Sequence, residues 1–434
     1  MFFSSKAYKY IRSSNLLLLP SPSTLQKWIF GFTCKPGFCD TYLNLVGKTL
    51  QYSEEPFSNL GVICFDEMDI LSSIQYHRGN KCVYGPAKKV QMVMVRGLVS
   101  PWKQVFYIEF NQNMTRDLFM QHVAMCEGFG IKIQAAVFDM GNHTFLSEFQ
   151  ILSGVNHTAN PTDAERKIYF FPDTPHLLKL LRNHCLDKGF TLQDSDGSSV
   201  NLGKHEFEKL IMQDGKELKI CPNLTYDLLN VRGSTRQRVR PAARLFSDTV
   251  SKGFLYHLGE THKIQSNFVL KVNNWFDVMN SRSEFSSSPH RAGFGINLEI
   301  QTSALHDMKK EVSEMRFSNN PSKLTKLPFQ KGILISIESM LELYKQLSRQ
   351  GLRFILTSKL NQDCLENVFS KMRSLGTSHP GPADILTKMK LLLIGANVQG
   401  IVENPAVELE EETMITRSIA TKVQIDYQVF ILSH

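Results

Sequence analysis

Apolar and polar positions alternate between two periods along this chain. The run from Leu60 to Phe65 is continuous and ends in three acids within four residues, Asp66, Glu67 and Asp69. Continuous apolar runs of that length belong to strands buried on both faces, so a strand is predicted over residues 60–66. "VQMVMVRGLV" and "KQVFYIEF", separated by "SPW", read as a β-hairpin. In "TRDLFMQHVAMCEGFG" the spacing of Leu118, Phe119, Val123 and Met125 behind a capping Thr115 predicts a helix ending near Gly128. "IKIQAAVFDMG" then reads as a second strand that ends in an acid, Asp139. "KIYFFPDTPHLLKLLRNHCLDKGF" predicts a short strand running into a helix whose buried face carries Leu177, Leu178 and Leu181. Residues 186–355 lack strong β runs and read as mainly helical, with loops at 281–295 and 317–332. "LTSKLNQDCLENVFSKMRSLG" closes the series with a helix that places Leu365, Val368, Phe369 and Met372 on one side. The order predicts an α/β fold interrupted by a large, mainly helical insertion.

At 434 residues the chain exceeds what one hydrophobic core usually supports, which fits that division into two or three units. Lys and Arg number 49 against 41 Asp and Glu, a net charge of +8. This mild excess is compatible with a polyanionic partner without requiring one. The eight cysteines are scattered, with no Cys-x-x-Cys pair and no Cys-x-x-His, so neither a zinc site nor a disulfide framework is legible. The longest early apolar run, Leu16 to Leu19, is cut by Pro20 and is too short for a signal-peptide core or a membrane span.

The acids carry the candidate chemistry. Asp66 and Asp139 each end an apolar strand; strands lying parallel and adjacent would present both carboxylates at one sheet edge. Carboxylates gathered within a few ångströms repel unless a divalent cation compensates them, and hard oxygen ligands select Mg²⁺ or Mn²⁺. Asp363 and Glu366, three apart, share one helix face away from the buried Leu365 and Phe369, and either completes such a set. Three carboxylates around paired metals suit phosphodiester cleavage and transfer. In "FPDTPHLLKLLRNH", Asp173 is a rival ligand and His176 a supporting group, with purely structural roles as the equal alternative for both. The arginine-rich run "RGSTRQRVRPAARLF" has the charge for phosphate contacts, with a solvated basic surface as the plainer alternative.

Several of these segments occur together in a known family. "VICFDEM", "MVRGL", "AAVFDMG", "FFPDTPHLLKLLRNH", "NNWFDVMNSR" and "LNQDCLENVFSKMRSLG", in this order, resemble the P element transposase family and its vertebrate THAP-domain relatives. The opening "AYKYIRSSNLLLLPSPSTLQKW" resembles the helix-turn-helix linker that precedes the family's catalytic domain. The resemblance implies an RNase H-like catalytic domain interrupted by a GTP-binding insertion, and cut-and-paste DNA transposition. Carried over by motif, the catalytic and metal-binding residues are Asp66, Asp139 and Glu366, with Asp363 beside them as a further ligand. In "FDVMN", the resemblance implies that Asp277 accepts the guanine N1 and N2 hydrogens of GTP, with polar contacts from Asn280 and Phe276 walling the base. Without the resemblance, an ordinary helix with a surface Asp is the reading of that segment.

The implied layout is a helix-turn-helix-like remnant at 1–50, the first part of the RNase H-like domain at 51–185 and the GTP-binding insertion at 186–355. The second catalytic part with Glu366 follows at 356–400, and an acidic tail at 401–434. The expected function is a P element-like DNA transposase with Mg²⁺ or Mn²⁺ and GTP as cofactors. Transposon ends and target DNA would be its partners, a homo-oligomer its form on DNA, and the nucleus its location, with no membrane association. The family's zinc-coordinating THAP module has no counterpart before residue 50, and the chain is expected to be truncated. The alternative is a domesticated or decayed transposase-derived DNA-binding or regulatory protein without strand transfer. After Asp139 the family has an Asn five residues on where this chain has Thr144; Asn142 is the available substitute.

Overall fold

The computed structural model describes residues 5–14, 17–24, 34–193, 197, 199–215, 219–317, 326–394 and 413–414. Apart from Thr413 and Met414, the expected acidic tail lies outside them. The chain forms two units, one from residues 1–133 and 362–434, the other from residues 134–361.

In the first unit the continuous apolar run does form a strand buried on both sides, Leu60–Asp69, with every residue from Leu60 to Phe65 buried. It pairs antiparallel with Lys89–Gly97, which pairs antiparallel with Trp102–Phe110 as the expected hairpin. The strand runs three residues beyond the predicted end at Asp66. Pairing continues through Met68 opposite Val90 and Asp69 opposite Lys89, and Met68 is again buried. Asp69 is therefore the last residue of the strand.

The helix Arg116–Gly128 starts at Thr115, whose hydroxyl accepts from the Leu118 N–H at 3.3 Å. Its buried stripe is Phe119, His122, Val123 and Cys126, the i, i+3, i+4, i+7 set; Leu118 and Met125 are only half-buried. Phe119 meets Phe65 at 6.2 Å between ring centres, so this helix covers one face of the sheet. The helix Asp363–Ser374 buries Cys364, Leu365, Val368, Phe369 and Met372. Both helices thus follow the spacing of their apolar residues.

In the second unit residues 135–138 of the strand Lys132–Phe138 pair parallel with Asp163–Pro172, with Phe138 opposite Pro172, and His157–Asn160 lies antiparallel on the far side of Asp163–Pro172. The helix Thr174–Lys188 buries Leu177, Leu178 and Leu181 as the spacing predicts. The 21-residue helix Pro328–Ser348 comes so close to it that a Cβ on Gly332 would stand 2.6 Å from Leu177. A larger residue at 332 would require the Leu177 side chain to shift, with Met140 Sδ at 3.2 Å from the same point.

The insertion differs from the sequence expectation in two places. It contains a three-stranded antiparallel sheet, Ser199–Leu202, Phe190–Gln193 and Arg316–Phe317 in that order. Strands of four, four and two residues are too short to register as a β run. The expected loop at 317–332 also ends early, because Pro328 opens the next helix, where its fixed φ suits the first turn. Among the described residues no helix is long and apolar enough to cross a membrane.

Candidate functional site

Asp66 is half-buried in its strand, and its Oδ1 accepts from the Glu67 N–H at 2.7 Å. Glu67, on the opposite face as alternation requires, pairs through Oε2 with Lys89 Nζ at 2.8 Å. Asp69 is exposed at the strand end. Of the three acids, only Asp66 combines partial burial with a place on the face opposite the Glu67–Lys89 pair.

Glu366 enters the same unit on the helix Asp363–Ser374. Asp363 and Glu366 occupy its first turn, where the partial positive charge of the helix end favours carboxylates. Asp363 is half-buried and Glu366 exposed. The residue before the helix, Gln362, is buried, and its Nε2 donates to the main-chain carbonyl of Phe65 at 2.7 Å. One side chain thus ties the start of the Glu366 helix to the residue next to Asp66.

Asp139 belongs to the second unit. It follows the strand Lys132–Phe138, as the sequence predicts, and its Oδ1 accepts from the Gly141 N–H at 2.9 Å. Gly141 leaves that carboxylate open: a Cβ there would lie 3.1 Å from Oδ2. Asn142, the proposed substitute for the family's Asn, caps the helix His143–Glu148 by accepting from Phe145 N–H at 3.2 Å.

Asp173 follows the neighbouring parallel strand, and its N–H donates to the Phe138 carbonyl at 2.8 Å. Its carboxylate is 2% exposed and accepts from the His176 N–H at 2.8 Å, capping the helix Thr174–Lys188. Capping accounts for an Asp at this position. Arg182, also in that helix, is wholly buried and donates to Asn183 Oδ1 and to the Arg236 carbonyl. Burial, with Arg236 nearby, pushes its guanidinium down to about 10. Arg182 fastens the basic run to the helix instead of facing a ligand, and Arg236 pairs with Asp187. Arg232, Arg238 and Arg240 remain exposed.

The donor chemistry at Asp66, Asp139, Asp363 and Glu366 is all carboxylate oxygen, which fits a hard divalent cation. Among the described residues, no three His, Cys, Asp or Glu side chains already converge on one cation position.

The second constellation lies at the C-terminal end of the helix Lys263–Met279. Asp277 Oδ2 accepts from Arg291 Nε at 3.0 Å and from Asn273 Nδ2 at 3.3 Å, while Oδ1 has no hydrogen-bond partner among the described residues. Arg291 is 62% exposed on its side chain, so its pairing with Asp277 contributes little on its own and is readily exchanged. Phe276 and Asn280 are half-buried and four apart, hence on one helix face. Asn280 Oδ1 accepts from Asn361 Nδ2 at 3.1 Å. His290 is held below its ordinary range by burial, with the Asp277 charge acting in the opposite sense.

The chain after this helix is pinned. Thr357 Oγ1 accepts from Ser281 N–H at 2.8 Å and donates to the Val278 carbonyl at 2.6 Å. Buried Gln301 donates through Nε2 to the Ala292 carbonyl at 2.9 Å, fixing the loop that carries Arg291. A carboxylate with one oxygen open, beside a half-buried ring at the negative end of a helix, suits a planar ligand edge that donates two hydrogens. Arg291, His290 and Asn273 were not found by sequence reasoning. Arg291 lies in a segment legible only as a loop, fourteen positions from its partner by number, with no periodic signal.

Comparison with known proteins places these elements in a family. Residues 34–152 match the TNP-like RNase H N-terminal domain, residues 175–292 the TNP-like GTP-binding insertion domain, and residues 1–28 the Transposable element P transposase-like HTH domain. The Transposable element P transposase of Drosophila melanogaster is 30% identical over 429 residues, covering 96% of this chain and 56% of the relative. The DNA transposase THAP9 of Homo sapiens is 21% identical over 421 residues, covering 87% of this chain and 45% of the relative. The chain therefore spans about half the length of these curated relatives. A solved structure, the Drosophila P element transposase strand transfer complex, superposes with a TM-score of 0.80 at 31% identity, covering 89% of this chain and 87% of that one. The chain belongs to the P element transposase family, with an RNase H-like domain interrupted by a GTP-binding insertion domain.

Proposed function

We propose that this protein is a cut-and-paste DNA transposase that uses GTP as a cofactor. Asp66, Asp139 and Glu366 are its catalytic carboxylates, and with Asp363 they would hold Mg²⁺ or Mn²⁺. Bound there, the metal would supply charge stabilisation and activation of a water or a 3′-hydroxyl for in-line displacement at phosphorus. The chain's own contribution is placement. Gln362 fixes the start of the Glu366 helix against the strand of Asp66, and Gly141 keeps the Asp139 carboxylate uncrowded. The Gln362 to Phe65 hydrogen bond is the observation that carries the reading, because it joins, within one unit, the elements that hold Asp66 and Glu366 across a separation of 297 residues between the bonded partners.

In the insertion, Asp277 would take the guanine N1 and N2 hydrogens in exchange for its contacts with Arg291 and Asn273, with Phe276 walling the base and Asn280 adding a polar contact. The negative helix end at this site disfavours phosphates, so the triphosphate would extend away from Met279. Residues 51–185 and 356–400 are the proposed halves of the catalytic domain, and 186–355 the proposed insertion. Transposon-end and target DNA, a homo-oligomeric working form and a nuclear location follow from the same reading.

A DNA- and GTP-binding regulator without strand transfer is the second reading. Joining assays on DNA ends with a free 3′-hydroxyl separate the two: Mg²⁺-dependent products that vanish with Glu366→Gln support the transposase.

A further inference from the structure

A second surface of the first unit combines exposed basic and aromatic side chains. From Ile70 to Ile108 the sequence has no Asp or Glu, while it has Arg78, Lys81, Lys88, Lys89, Arg96 and Lys103. This stretch holds a small antiparallel hairpin, Gln75–His77 paired with Cys82–Tyr84. Alternation along Gln75–His77 sends Gln75 and His77 to one side and Tyr76 to the other.

The inner side is firmly attached. Gln75 Nε2 donates to Asp384 Oδ2 at 3.0 Å, and its Oε1 accepts from the Ala383 N–H at 3.0 Å. His77 is 8% exposed, and Asn80 Nδ2 donates to the Cys34 carbonyl at 2.8 Å. The outer side is bare: Tyr76 is 60% exposed, its cross-strand partner Val83 62%, and Ile74 69%. Lys89 is paired with Glu67, but Arg78, Lys81 and Lys88 are exposed and have no ion-pair partner among the described residues.

We infer that the outer face of this hairpin is a contact for unpaired DNA, in which Arg78, Lys81 and Lys88 meet phosphates and Tyr76, backed by Val83 and Ile74, stacks on a base. An aromatic ring held on a fixed strand loses little freedom on stacking, and unpartnered cations beside it track a phosphate backbone. Base faces are hidden inside a duplex, so the ring needs a single-stranded end of the kind that DNA cleavage leaves. The inference rests on the DNA-processing reading and adds the strand form recognised. Three exposed cations without an ion-pair partner among the described residues favour a polyanion over an apolar protein partner.

The test uses the full chain without divalent metal and two fluorescein-labelled probes of one sequence, a blunt duplex and the same duplex with a single-stranded 3′ overhang. Tyr76→Ala is expected to weaken overhang binding about five- to a hundredfold and Tyr76→Phe to restore it, with blunt-duplex affinity unchanged for both. Replacing Arg78, Lys81 and Lys88 by Ala is expected to weaken both probes and to flatten the salt dependence by about 0.7 to 0.9 in log–log slope per cation engaged. If the wild type binds both probes and Tyr76→Ala binds the overhang equally well, the inference falls while the transposase reading stands. If Tyr76→Ala instead lowers the sedimenting mass with DNA affinity unchanged, the face joins copies of the chain and the inference is overturned. A wild-type chain that binds neither probe overturns both.

Discussion

Gln362 Nε2 and the carbonyl oxygen of Phe65 are joined by a 2.7 Å hydrogen bond, linking the residue before the Glu366 helix to the residue before Asp66. Gln362 is 2% exposed, so the bond is sheltered from water and its loss removes a buried hydrogen bond. Gln362→Leu is expected to lower stability by about 0.5–1.5 kcal/mol. A misplacement of the Glu366 helix near 1 Å would cost about a hundredfold in cleavage rate. Thermal melting and single-turnover cleavage check the pair of effects. A variant that melts lower but cleaves at the wild-type rate limits Gln362 to a structural role.

Asp173 offers a cleaner separation of roles. Its carboxylate caps the helix Thr174–Lys188 through the His176 N–H, so Asp173→Ala is expected to cost about 1 kcal/mol. Asp173→Ser keeps an N-capping oxygen and is expected to recover both stability and cleavage. A stable but inactive Asp173→Ser variant would identify Asp173 as a metal ligand.

At the insertion, Asp277→Ala is expected to weaken GTP binding about ten- to a hundredfold, the range for hydrogen bonds to a charged group. Arg291→Ala, which removes the competing partner at 3.0 Å, is expected to bind GTP at least as tightly as wild type. Titration with a fluorescent GTP analogue, with ATP as competitor, reads both. Equal competition by ATP and GTP in the wild type would remove Asp277 from guanine recognition.

His122 gives the first unit a defined acid sensitivity. It is fully buried among Phe38, Phe106 and Tyr107, and burial pushes its imidazole down to about 4. The unfolded chain takes up this proton near its ordinary value of 6.5, whereas the folded chain resists until about 4. Stability is therefore full above pH 6.5 and declines as pH falls towards about 4, by up to about 3 kcal/mol from this group. Melting curves across that range should slope less for His122→Phe than for wild type; equal slopes would exclude His122 as the source.

The patterns that were legible in the chain are those that repeat locally. Leu60 to Phe65 announced a doubly buried strand, and Leu365, Val368, Phe369 and Met372 announced the inner face of the Glu366 helix, because burial imposes its period on neighbouring residues. The strand's extension to Asp69 was hidden, since it depends on pairing with Lys89, which leaves no mark within residues 66–69. The Asp277–Arg291 pair, the Gln301 fastening of its loop and the short strands at 190–193, 199–202 and 316–317 are likewise set by partners distant in sequence. Asp173 was ambiguous for a different reason: one residue type serves both as helix cap and as metal ligand, and the cap shows only in its hydrogen bond to His176.

The central claim concerns three carboxylates, and one assay reaches it directly. The full chain is incubated with Mg²⁺, GTP, DNA ends bearing a free 3′-hydroxyl and a supercoiled target plasmid, alongside Asp66→Asn, Asp139→Asn and Glu366→Gln. The account predicts joined products for the wild type alone, lost on chelation of the metal, with DNA and GTP binding kept by all three variants. Joined products of equal yield from any of the three variants, or a wild type that binds DNA and GTP yet joins nothing, would contradict it.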